Sequence, residues 1–293
     1  MRIAFLGLPL AALLLHADGH DIVIAGLRNG LTLGQRRLGA RLGWERLVVD
    51  PHHDWATFQR RVRDLRPELL VSWFFTRRIP MGVVQACSLG GIGVHPSLLP
   101  RHRGPDPFFA ALDAGDDVTG VTVHRIEESY DTGAILAQRS LPIDPRWNAW
   151  DLARALDRPS LALLRETVAT FAAGKPILGT PQDESKATQA PFPAPEQRVL
   201  CWTWPAEAIV RRVRALAPNP GALAFPGDVP LVVLEVEVRP VHAVLEPGEA
   251  AVIDGIAVVR AADEGVALLR GEVDGHDWGP DDIAHQIASS VVK

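Results

Sequence analysis

Two residues of this chain stand where strands hand over to loops and carry side chains that exchange protons. His95 closes Gly91-Ile92-Gly93-Val94-His95, a short apolar run, and Asp131 follows the mostly apolar, β-branched run Thr119–Ile126 and precedes Gly133. Strand ends are where an open α/β sheet gathers its reactive groups. A carboxylate that orients or charges an imidazole makes an acid–base pair. Without further context the same two residues read equally well as a packed core histidine and a turn aspartate.

The elements that must position them alternate. Strands are predicted at Arg2–Leu6, Asp21–Ala25, Arg46–Val49, Glu68–Phe74 and Gly91–His95. Helices are predicted between them near Leu10–Ala17, Leu33–Leu42, Trp55–Leu65 and Met81–Ala86. That order makes parallel βαβ units and a mostly parallel, Rossmann-like α/β sheet covered on both faces. After Asp131 come a strand, Ala134–Pro142, and a long amphipathic helix, Ala149–Ala172, with Gly174 as its C-cap. Proline density then rises at Pro181, Pro191, Pro193, Pro195 and Pro205, which marks a linker. Beyond it lie a helix, Ala206–Leu216, five short strands between Ala222 and Arg270, and a closing helix near Asp281–Ala288, the pattern of a small OB-like barrel. The expected division is residues 1–180, a linker at 181–204, and residues 205–293.

The 293 residues suffice for two cored domains, and 47% hydrophobic with 22% charged composition excludes a largely disordered chain. A net charge of −5 gives no general attraction to nucleic acid or anionic membrane. Cys87 and Cys201 are the only cysteines, so neither a disulfide framework nor a zinc site is indicated, and a reducing cytoplasm is the expected compartment. His52-His53 lacks further ligands, and no metal is expected. The opening MRIAFLGLPLAALLL has the apolar run of a signal peptide, but Gly7 and Pro9 punctuate it as strand, turn and helix. The turn after the first strand lacks GxGxxG and no GxxxxGK[ST] occurs, so nucleotide-phosphate binding is unsupported. No transmembrane run is present.

Five ordered pieces carry a resemblance: His95, then Ser97-Leu98-Leu99-Pro100, Arg103-Gly104, Thr119-Gly120-Val121-Thr122, and Asp131-Thr132-Gly133. Together the stretch resembles the 10-formyltetrahydrofolate-dependent formyltransferases, most closely those that act on methionyl-tRNA. The likeness continues through Thr180–Ala187 and into Ala217–Ala222, the entry to a C-terminal barrel. It implies formyl transfer from 10-formyltetrahydrofolate to a primary amine, with His95 and Asp131 as catalytic residues and Ser97, Leu98, Leu99 and Pro100 shaping the folate slot. The loops Phe74–Ile79 and Glu127–Tyr130 would flank the pteridine. The resemblance also implies an asparagine two residues before the histidine, where this chain has Gly93.

Gly93 leaves three readings open. A water or another side chain fills the position, the enzyme acts slowly on an easier amine, or the chain is a folate-binding or scaffold homologue with an impaired site. If the position is vacant, Gly93→Asn restores a donor and raises turnover. Phe108 and Phe109 are expected to pack on a helix face, and His102 and His124 to be surface or strand histidines. The acceptor is either initiator methionyl-tRNA or a small amine such as an amino sugar. Against tRNA, the segment from Gly26 to Gly43 is compact, and residues 205–293 hold seven Lys and Arg against fourteen Asp and Glu, a formal −7.

Overall fold

A computed structural model describes residues 1–28, 33–225, 230–241 and 244–291. The compact segment from Gly26 to Gly43 includes residues 29–32, which lie outside them. The chain divides into two compact units. The first comprises Met1–Pro105, Val118–Pro142 and Ala155–Gln189, and the second Asp106–Asp117, Ile143–Arg154 and the chain from Ala190 onward.

The first unit is built on a seven-stranded sheet. Its strands are β1 (Arg2–Gly7), β2 (Asp21–Leu27), β3 (Leu47–Val49), β4 (Leu69–Trp73), β5 (Gly91–His95), β6 (Val118–Arg125) and β7 (Ile135–Pro142), in the order β3-β2-β1-β4-β5-β6-β7. The five strands from β3 to β5 pair in parallel, and β6 and β7 join antiparallel. The Rossmann-like, mostly parallel sheet expected from the sequence is the one present. Arg2–Gly7 buries every residue after the first, which explains its unbroken apolar run: a central strand is covered on both faces.

The helices met up to β5 are α1 (Pro9–Ala17), α2 (Leu33–Leu42), α3 (Trp55–Leu65) and the single turn α4 (Met81–Val84). Asp54 caps α3 by accepting from Thr57 N, and Phe58 and Val62 of that helix join Leu6, Ile24, Leu70 and Val83 in a buried core. Cys87 packs in the same core, where burial pushes its thiol up to about 12, a structural and unreactive setting. Farther along, α5 (Pro107–Ala114) is capped by Asp106, and α6 (Ala149–Ala172) matches its predicted bounds. Phe109 is buried on α5, as expected of a packing residue.

In the second unit α7 (Ala206–Leu216) buries Ile209, Val213 and Leu216 along one stripe, and Arg212 reaches from it to chelate the Asp113 carboxylate. An antiparallel six-stranded sheet follows: β8 (Ala222–Ala224), β9 (Leu231–Arg239), β10 (Ala250–Ile253), β11 (Ile256–Arg260), β12 (Gly265–Val273) and β13 (His276–Trp278), then α8 (Pro280–Val291). The order is β10-β11-β12-β9-β8, with β13 on β12. Five of these strands match the predicted set; β13, a three-residue hairpin arm, adds a sixth. Among the described residues no helix is long and apolar enough to cross a membrane.

Candidate active site

His95 is the last residue of β5, and its register partner on β6 is Thr122; two residues back, Gly93 faces His124. Side chains alternate across a strand, so 93, 95, 122 and 124 share one face of the sheet, with His95 and His124 as diagonal neighbours. The antiparallel direction of β6 sets this up. The loop leaving β6 then folds back over that face. Asp131 adopts a left-handed φ of 56° and Gly133 packs hard against the Arg125 carbonyl, where a Cβ would collide.

The result is one carboxylate between two imidazoles. His95 Nδ1 stands 3.5 Å from Asp131 Oδ2, and His124 Nε2 stands 3.6 Å from Asp131 Oδ1. Both rings are nearly inaccessible, with side-chain exposure of 7%, against 18% for Asp131. Each ring spends its outer nitrogen on a backbone carbonyl: His95 Nε2 lies 2.7 Å from the His102 oxygen, and His124 Nδ1 lies 2.8 Å from the Arg125 oxygen. A carbonyl only accepts, so those outer nitrogens carry the protons of the neutral rings. The inner nitrogens, facing Asp131, are protonated only when a ring is charged. Desolvation holds His124 below the usual histidine range; the Asp131 charge opposes that shift and a charged His95 reinforces it.

His124 was not singled out by the sequence, which placed it as an ordinary surface or strand histidine. It lies in the strand, but buried and aimed at Asp131. His102 is likewise buried rather than on the surface. Its backbone carbonyl meets His95 and its N–H donates to Thr188 Oγ1. Position 93 is not vacant either. Gly93 has ordinary strand geometry, and a Cβ placed there would meet His124 Nε2 at 3.1 Å and Cε1 at 3.3 Å. A side chain at 93 would press on the ring, which would have to give way by a few tenths of an ångström. The only signal in the sequence was the pairing of a histidine on one strand with a glycine on another, and that needs the register.

Second-rank contacts fix the carboxylate. Asp131 Oδ2 accepts from Gly104 N at 2.9 Å, and Gln182 Nε2 donates to the Asp131 and Gly133 carbonyls at 2.7 and 2.8 Å. Gln182 is in turn held by Arg103, whose Nε and Nη2 donate to its Oε1 at 3.0 and 2.7 Å. The same guanidinium grips both oxygens of Glu184 at 2.8 Å, which holds the Glu184 carboxyl below its usual range. His102 N and Arg103 N close the seam on Thr188 Oγ1 and O. Segment 180–189 thus straps the Asp131 loop to the Arg103 turn.

The loop Ser97–Pro100 sits beside this array. Ser97 is fully buried and donates to the Arg101 carbonyl at 2.6 Å, and Leu99 is tied through its N–H to Thr122 Oγ1 and through its carbonyl to Gln138 Nε2. Leu98 and Pro100 keep partly exposed surface. The loop is therefore pinned by backbone and hydroxyl contacts, and Ser97 serves the loop itself. Phe74, with a positive φ of 54°, leaves the same edge of the sheet from β4. Among the described residues no group of three or more His, Cys, Asp or Glu has the arrangement to hold a metal ion. A cavity of about 480 Å³ lined by Arg2, Asp21, Glu45, Arg46, Arg61 and Asp64 opens at the N-terminal ends of β1 and β2, away from this chemistry.

Known proteins resemble this chain in sequence and in fold. Residues 51–168 match the family described as "Formyl transferase", and residues 194–276 match "Formyl transferase, C-terminal domain". A methionyl-tRNA formyltransferase of Herpetosiphon aurantiacus is 31% identical over 95% of this chain and 97% of its own, and one of Roseiflexus castenholzii is 33% identical over 92% and 90%. By fold, the chain is similar to an N-formyltransferase from Helicobacter canadensis, solved with folinic acid and dTDP-3-aminofucose, at TM-score 0.70 and 12% identity over 92% of this chain and 98% of that one. It is also similar to HypX from Aquifex aeolicus in complex with tetrahydrofolic acid, at TM-score 0.66 and 20% identity, covering 98% of this chain and 47% of HypX.

Proposed function

The chain belongs to the formyl transferase family, and from that membership we propose that it moves the formyl group of 10-formyltetrahydrofolate to a primary amine, with initiator methionyl-tRNA as the acceptor. The observation that carries the chemistry is the meeting of His95 and Asp131, from a strand end and a loop 36 positions apart in the numbering, at 3.5 Å with both side chains largely buried. The observation that carries the acceptor is likeness to methionyl-tRNA formyltransferases along both parts of the chain.

The residues present fit a folate donor. Proton-exchanging groups lie at the buried end of the site, and the partly exposed apolar surfaces of Leu98, Pro100 and Phe74 lie at the same sheet edge for a flat ring system. Such a donor supplies an electrophilic carbon. When an amine adds to it, negative charge develops on the formyl oxygen and positive charge on the amine nitrogen. In this reading His95, held by the His102 carbonyl and facing Asp131, provides the donor, and Asp131 orients it. Removing one donor of this kind costs roughly 2.7–4 kcal/mol, about a hundred- to a thousandfold in rate. His95→Ala is therefore expected to lower kcat on that scale.

A second reading, transfer to a small amine such as an amino sugar, is favoured by the formal −7 of residues 205–293, which does not suit a phosphate-neutralising surface. Incubating the full chain with 10-formyltetrahydrofolate and, separately, initiator methionyl-tRNA or a nucleotide-linked amino sugar, then detecting the formylated product by mass spectrometry, decides between them. Formylated methionyl-tRNA supports the first reading. Product only from the sugar replaces it with the second, and no product from either removes formyl transfer to these acceptors.

A further inference from the structure

We propose that His124 is the proton-accepting imidazole of this site, working with His95 across Asp131, and that Gly93 is glycine in order to seat its ring. The proposal rests on the formyl-transfer reading and adds to it the residue that takes the amine proton.

The register of β5 and β6, which sets the His124 ring over Gly93 and toward Asp131, carries it. The Arg125 carbonyl pins His124 as the Nδ1–H form, so Nε2 of the neutral ring is a lone pair, 3.6 Å from Asp131 Oδ1. One carboxylate can balance one imidazolium in a buried site; two would leave an uncompensated charge there. Burial lowers the proton affinity of His124 and so favours its neutral ring. The charged groups that act on it are Asp131, which favours its protonation, and His95 and Arg103, which oppose it.

The proton count then closes within the chain. The amine nitrogen bonds to the formyl carbon and gives up a proton to His124 Nε2. The bond from that carbon to the folate nitrogen breaks, its electron pair stays on the nitrogen, and that nitrogen takes the proton from His95 Nδ1. The proton on His124 returns through Asp131 to His95, and the site is reset with no proton gained or lost. Contacts of 3.5 and 3.6 Å are longer than the hydrogen bonds this requires, and acid–base contacts of this kind tighten when the reactants bind.

The test uses the full chain, 10-formyltetrahydrofolate and initiator methionyl-tRNA, with kcat/KM followed from about pH 5 to about pH 9. Wild type should show an acid limb below the ordinary histidine range. His124→Asn should lower kcat on the order of a hundredfold and abolish that limb. His124→Gln, which keeps a side chain over Gly93, should do the same and serves if the asparagine variant melts early. Wild-type kcat in either folded variant overturns the proposal, and so does lost activity with the acid limb unmoved, because that is the signature of packing alone. If wild type formylates no tRNA, the parent reading fails first, and the inference is decided by long-range ¹H–¹⁵N correlation spectra of the histidine rings. A neutral Nδ1–H His124 near pH 7 upholds it; a charged or Nε2–H ring overturns it.

Discussion

At position 93 a side chain and the ring of His124 compete for one volume, with 3.1 Å between a built Cβ and Nε2. Gly93→Asn is expected to displace the ring, an overpacking cost of about 1–3 kcal/mol, read as a lower melting temperature and a lower kcat. His124→Ala in the same chain should recover the melting temperature. The sequence alone predicts the opposite sign for Gly93→Asn, because a glycine in a string of letters looks like an empty place. His95, Asp131 and their meeting were legible from strand ends and motif; the ring that fills position 93 was not, since it sits across a strand pair whose direction no local pattern encodes. Burial of His124 also has a thermodynamic readout. Its folded pKa lies below the ordinary value, so between the two the unfolded chain binds more protons, and stability falls as pH drops through about 6.5. Wild type should therefore lose more melting temperature between about pH 7.5 and about pH 5.5 than His124→Asn, which calorimetric melts at both values will show.

At the scale of elements, alternation of strand and helix was readable because burial on both faces forces apolar runs on the central strands, as in β1. The direction of β6 and the three-residue β13 were not. Segment 180–189 illustrates a different limit. Its polar, proline-flanked composition reads as connection, yet Gln182, Glu184 and Thr188 spend their side chains on Arg103, His102 and the Asp131 loop. Because Arg103 grips Gln182 and Glu184 with a planar fork, Arg103→Lys cannot reproduce the contacts. Arg103→Lys and Gln182→Ala are each expected to loosen Asp131 and lower kcat by about ten- to a hundredfold while leaving KM nearly unchanged, since a small misplacement of a reacting group costs on that scale. Steady-state kinetics on both variants, with folate affinity from calorimetry as the control, checks it.

For the whole molecule, charge was countable from the sequence although its distribution over the surface was not. The formal −7 of residues 205–293 predicts few phosphate contacts. Initiator tRNA should bind weakly, with a shallow dependence of log affinity on log salt; filter binding at several salt concentrations measures it, and nanomolar affinity with a steep slope would show arginines gathered on a face the count conceals. The strap has a consequence for how the protein comes into being on the ribosome. His95, His124 and Asp131 all emerge before segment 180–189, so a nascent chain that has reached Pro142 holds the three side chains and their contacts to His102, Arg125 and Gly104, but not the strap over the Asp131 loop. Gln182, Glu184 and Thr188, which tie that loop to the Arg103 turn, are synthesised some forty residues after the strand they brace.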